Sequence, residues 1–169
     1  MDMNIRTLPV STSQICERLG IVVRIGDLPG DSDGISTIIR GKPHILVRSQ
    51  CSPERKRFTV AHELGHILAG HVGKYTLVNR EPSPTDNPIE QEANVFASRL
   101  LAPACVLWGC GVQTAEDIRR LCRISQQAAE YRMERMRILY ARDRFLTSPL
   151  ERQVYRQFAD YIEQNRISR

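Results

Sequence analysis

The stretch Thr59-Val60-Ala61-His62-Glu63-Leu64-Gly65-His66-Ile67-Leu68 constrains the fold more than any other part of the chain. It carries the pattern H-E-x-x-H, with His62 and His66 four residues apart. On a helix that spacing puts both imidazoles on one face, roughly 5–6 Å apart at Cβ. Both rings can then reach a single Zn²⁺ at about 2.0–2.1 Å. Glu63 runs along the edge of the same face, where it can take a proton from a metal-bound water. The flanking positions from Thr59 to Leu68 are uncharged, as a buried metal helix requires. Gly65 costs a helix interior about 1 kcal/mol relative to Ala, which makes sense where another backbone passes close by.

The boundaries of this helix are written in the sequence. Ser52 is an N-cap residue, Pro53 suits the first helical position, and Glu54 suits the positive end of the helix dipole. The helix should run to about Ala69 and stop at Gly70. Before it, Ser11–Gly20 reads as a short helix and Ile21–Ile25 as a β-branched strand. Ile35–Arg40 and His44–Val47 read as two strands of a hairpin joined through Gly41-Lys42-Pro43. A hairpin beside a metal helix is a place where an extended peptide can be held by strand addition. After the helix, Glu81–Pro88 is a proline-rich loop of a kind that is usually functional or mobile.

A catalytic zinc needs a third protein ligand and an open position. The next periodic segment, Ile89–Leu101, offers Glu90 and Glu92. Ala93, Asn94, Ala97, Leu100 and Leu101 follow Glu90 by three, four, seven, ten and eleven residues, so Glu90 shares the small, apolar face. Glu92 aligns with Phe96 and Arg99 toward the edge of that face. Small Ala93 and Ala97 would let this helix press against Gly65 and bring Glu90 to the metal. Glu90 is therefore the expected third ligand, with Glu92 the alternative. Asn94, one turn on, can hydrogen-bond a ligating histidine and fix its tautomer.

The rest of the chain reads as helical. Residues 104–112, with Trp108, Gly109 and Gly111, read as a turn or short loop. Thr114 opens one helix and Ser125 caps a second, in which Ala129, Met133, Met136 and Tyr140 recur at helical spacing. Ser148-Pro149-Leu150-Glu151 is a capping box that opens a helix with Leu150, Val154, Phe158, Tyr161 and Ile162 on one face. A chain of 169 residues suggests one domain with a small helical appendage. Five scattered cysteines without a C-x-x-C read as free thiols in a reducing compartment. No secretory leader or membrane-spanning run is present in the sequence, so a cytoplasmic protein without a membrane partner is expected.

Two linked stretches carry a family resemblance. Arg57-Phe58-Thr59-Val60-Ala61-His62-Glu63-Leu64-Gly65-His66 and Glu90-Gln91-Glu92-Ala93-Asn94-Val95-Phe96-Ala97-Ser98-Arg99-Leu100-Leu101-Ala102-Pro103 resemble the signature of the ImmA/IrrE metallo-endopeptidases. The resemblance covers about residues 10–145. It implies an α+β fold with a zincin-like metallopeptidase core over residues 1–104: a small β-sheet, a central HExxH helix and a ligand helix. A helical, helix-turn-helix-like region over 105–169 would pack on that core. It also implies a Zn²⁺ cofactor held by His62, His66 and Glu90, with Glu63 as general base. The substrate it implies is a transcriptional repressor of the helix-turn-helix type, whose cleavage switches on stress-response or mobile-element genes.

Hydrolysis also needs a donor for the oxyanion, for which His71, Tyr75 and Tyr131 are candidates. His71 lies past the expected helix end, and a surface position is the simpler reading. A second class of function is binding without cutting, either of the repressor or of DNA. The net charge of +5 permits an acidic partner. Arg119, Arg120, Arg123, Arg132, Arg135 and Arg137 gather on a helix–short turn–helix segment that could contact phosphates. A helical buttress with a solvated basic face explains the same residues.

Overall fold

The computed structural model describes residues 5–72 and 87–167; Tyr75 and the proline-rich segment up to Asp86 lie outside them. The backbone divides into two compact units, Thr12–Ala97 and a second made of Met1–Ser11 with Ser98–Arg169. The chain is of mixed α+β type, with one three-stranded sheet and eight helices among the described residues.

The first unit opens with α1 (Thr12–Arg18), followed by β1 (Val22–Gly26), β2 (Gly34–Ile39) and β3 (Lys42–Arg48). The sheet order is β1-β3-β2, with β1 parallel and β2 antiparallel to the central strand. The expected hairpin is present, but its turn is tighter, Arg40-Gly41, so Lys42 and Pro43 enter β3. Proline is tolerated there because β1 pairing begins only at His44, leaving no ladder bond for Pro43 to donate on that side.

Side chains alternate across a strand, and this sheet uses the alternation to bury one face. Ser36, Ile45 and Val47 are buried, whereas His44, Leu46 and Arg48 are only partly covered. Onto that inner face packs α2 (Pro53–Leu68), which contacts β2 and β3 and buries Val60, Ala61 and Leu64. Ser52 Oγ accepts from the Arg55 N–H at 3.2 Å, and Pro53 begins the helix. The last helix to begin in the unit, α3 (Pro88–Leu101), whose residues from Ser98 on belong to the second unit, opens at Asn87, whose Oδ1 accepts from the Ile89 N–H at 3.1 Å. Ala93 and Ala97 on α3 are buried.

In the second unit, residues expected as a loop form α4 (Ala104–Gly109). Tertiary packing overrides the glycines here: Cys105, Val106 and Leu107 are buried. Gly109 accepts Tyr155 and Ile162 where a Cβ would stand 2.7–3.0 Å from them. The capping box at Thr114 starts α5 (Ala115–Cys122), and Ser125 caps α6 (Gln126–Ala141), which packs on α5 and buries Ala129, Met133 and Met136. The last expected helix breaks at Phe158 into α7 (Pro149–Gln157) and α8 (Ala159–Gln164). Phe158 and Ile162 are buried, while Leu150 is solvent-exposed. All five cysteines are free thiols. Among the described residues no helix is long and apolar enough to cross a membrane.

Candidate metal centre

The face of α2 that bears the two histidines meets α3 at Gly65. A Cβ added there would lie 3.1 Å from Phe96 Cδ1 and 3.3 Å from Ala93 Cα, so the two helices touch almost backbone to backbone. This close approach brings Glu90 to the histidines. Its Oε2 lies 3.1 Å from His62 Nε2, and its Oε1 lies 3.4 Å from His66 Nε2. The two Nε2 atoms are 3.1 Å apart. Among the described residues, His62, His66 and Glu90 form the group whose ligand atoms lie within 4.8 Å of one another.

Those distances fit a shared cation. For bonds of about 2.05 Å in tetrahedral geometry, ligand atoms stand about 3.3 Å apart. Asn94 Oδ1 is 3.0 Å from His62 Nδ1. With the amide oxygen accepting, Nδ1 carries the proton and Nε2 directs its lone pair toward Glu90 and His66. Lone pairs and a carboxylate packed this closely repel unless a positive charge sits among them. Without a metal, hydrogen bonds donated by ring N–H groups of His62 and His66 hold the Glu90 carboxyl well below the usual carboxylate range, against a partial burial that raises it. Two imidazoles and one carboxylate form an N₂O donor set suited to a divalent transition metal with an open coordination position.

Glu63 takes no part in this group. It is buried, 2% exposed, and Ser36 donates its hydroxyl proton to Glu63 Oε2 at 2.5 Å. The short distance between β2 and α2 depends on Gly34, where a Cβ would stand 2.2 Å from Thr59 Cγ2. Sequence reasoning missed Ser36, because nothing local distinguishes an inward serine on a strand from any other.

The other sequence candidates separate. Glu92 does not join the triad; its Oε2 faces His71 Nε2 at 3.5 Å. His71, expected at the surface, is half-buried with its Nδ1 3.1 Å from His66 Nδ1. Gly70 at φ +72 turns the chain back at the helix end, and a Gly-His pair there was the signal available in the sequence. Tyr131 lies on α6 in the other unit, with 71% of its surface exposed. Arg132 is buried, its Nε–H donating to the Ala102 carbonyl at 2.7 Å, which removes it from the surface cluster of arginines.

Sheet, metal-type triad and adjacent buried carboxylate together define the class. The chain belongs to the IrrE N-terminal-like domain family of peptidases, whose family model matches residues 16–134. It is 42% identical over 65 residues to the radiation response metalloprotease IrrE of Deinococcus deserti. That match covers 36% of this chain and 22% of the relative, so the chain spans about a fifth of that relative's length.

Proposed function

We propose that the chain is a zinc-dependent endopeptidase with a zincin-like core, in which His62, His66 and Glu90 hold the metal and Glu63 is the general base. The convergence of the two Nε2 atoms and the two Glu90 carboxylate oxygens at 3.1–3.4 Å carries this reading. Zinc, when bound, supplies Lewis acidity toward water and a carbonyl group. Glu63 accepts the proton of the attacking water and returns it to the leaving amine. Ser36 holds the Glu63 carboxylate in one orientation while it does so. Among the described residues the sheet order leaves β2 on an edge, which favours an extended peptide pairing along it.

The substrate, on the strength of the family resemblance, is a helix-turn-helix repressor in the cytoplasm. The test is to mix zinc-loaded protein with the repressor encoded nearby and look for a cut band. Cleavage that chelation abolishes supports the proposal. Intact repressor bound tightly by the zinc-loaded protein overturns it in favour of sequestration without proteolysis.

A second reading, direct DNA binding, draws on the three-residue turn between α5 and α6, with Arg120, Arg123, Arg135 and Arg137 exposed. Arg119 is also exposed but is paired with Glu116 at 2.8 Å. Under that reading duplex DNA binding falls steeply with salt and survives chelation.

A further inference from the structure

The geometry points to His71, backed by Glu92, as a positioning residue that fixes the tautomer and aim of His66; this rests on the metal-site reading above. The backbone makes the arrangement. At the end of α2, the Gly70 N–H donates to the Ile67 carbonyl at 3.1 Å and the His71 N–H donates to the His66 carbonyl at 2.9 Å. This pair of bonds, with Gly70 left-handed at φ +72, is a Schellman motif. The motif returns His71 to the residue whose ring it supports. The two rings meet edge to face, with centroids 5.3 Å apart, and their Nδ1 atoms are 3.1 Å apart.

One of those nitrogens must donate and the other accept. Glu92 favours one choice. A carboxylate only accepts, and its Oε2 faces His71 Nε2 at 3.5 Å. That contact favours the neutral His71 tautomer protonated on Nε2, which leaves Nδ1 to accept from His66 Nδ1–H. His66 then presents its Nε2 lone pair to the point shared with His62 and Glu90. Asn94 does the same for His62 from one turn beyond Glu90. The carboxylate of Glu92 is 66% exposed against 14% for the His71 side chain. Water screens the Glu92 contact, and most of the effect resides in His71.

Metal-free wild type, His71→Ala, His71→Gln, Glu92→Gln and Asn94→Ala are compared by Zn²⁺ titration against a chromophoric chelator. The visible spectrum of the Co²⁺ form and the melting temperature of the metal-free form are measured beside it. His71→Ala should weaken zinc binding about 10- to 100-fold, shift the Co²⁺ bands and leave the metal-free melting temperature unchanged. His71→Gln should recover part of the affinity, since its amide oxygen can accept the same bond, and Glu92→Gln should lose only a few-fold. Wild-type affinity and spectrum in His71→Ala, with Asn94→Ala weakened, overturn the relay and leave the metal site standing. A loss in His71→Ala that tracks a lower metal-free melting temperature and is not rescued by Gln also overturns it. Wild type that takes up neither ion overturns both the relay and the metal reading.

Discussion

A carboxylate as buried as that of Glu63 must have hydrogen-bond donors close by, because burying an unpaired charge costs several kcal/mol. The Ser36 hydroxyl is such a donor, at 2.5 Å. Glu63→Gln should lower peptide cleavage by about 10²–10⁴-fold, the range for losing a general base, with metal content and melting temperature retained. Ser36→Ala removes a hydrogen bond to a charged group, worth roughly 1.5–3 kcal/mol. Its turnover should fall about tenfold or more at nearly unchanged KM, which steady-state kinetics on a peptide substrate would read. The two acidic residues of α3 should behave differently. Glu90→Gln should abolish stoichiometric metal uptake, and Glu92→Gln should retain it, as elemental analysis after dialysis would reveal.

At the scale of elements, the site depends on how closely α2 and α3 approach. Gly65 is the point of contact, with Phe96 and Ala93 at 3.1–3.3 Å from an added Cβ. Gly65→Val should cost about 1–3 kcal/mol through overpacking. It should also displace Glu90 from the histidines, so metal affinity falls along with stability. Ser52→Ala gives the contrast. Loss of the cap at the far end of α2 should cost about 1 kcal/mol while metal affinity stays at the wild-type value. Urea melts paired with metal titrations would distinguish the two, and equal affinity loss in both variants would contradict the contact argument.

For the whole molecule, the three residues that could hold a metal, His62, His66 and Glu90, all lie within the unit Thr12–Ala97. Metal binding to the folded form alone adds about 2.7 kcal/mol at a hundredfold excess over Kd. Chelation should therefore lower the melting temperature, zinc should restore it, and His62→Ala should show no response to either. Because ligands must be deprotonated to bind, the zinc-dependent increment should shrink as the pH is lowered. An increment that persists in His62→Ala would place the metal elsewhere.

The local part of the design was legible in the chain. Spacing along one helix determines that His62 and His66 share a face, and Ser52, Pro53 and Gly70 mark the ends of that helix through their own backbone chemistry. Periodicity along α3 was enough to prefer Glu90 over Glu92 as the third ligand, and Glu90 is the one of the two that lies 3.1 and 3.4 Å from the Nε2 atoms of His62 and His66. What stayed hidden depends on contacts between elements distant in sequence. Ser36 reaches Glu63 across 27 residues only because β2 is laid against α2. Residues 104–109 become helical, with Cys105, Val106 and Leu107 buried, because burial outweighs the cost of Gly109 at the helix end. The central helix announced itself through spacing alone, but the surroundings that orient its side chains exist only once sheet, helix and turn are packed together.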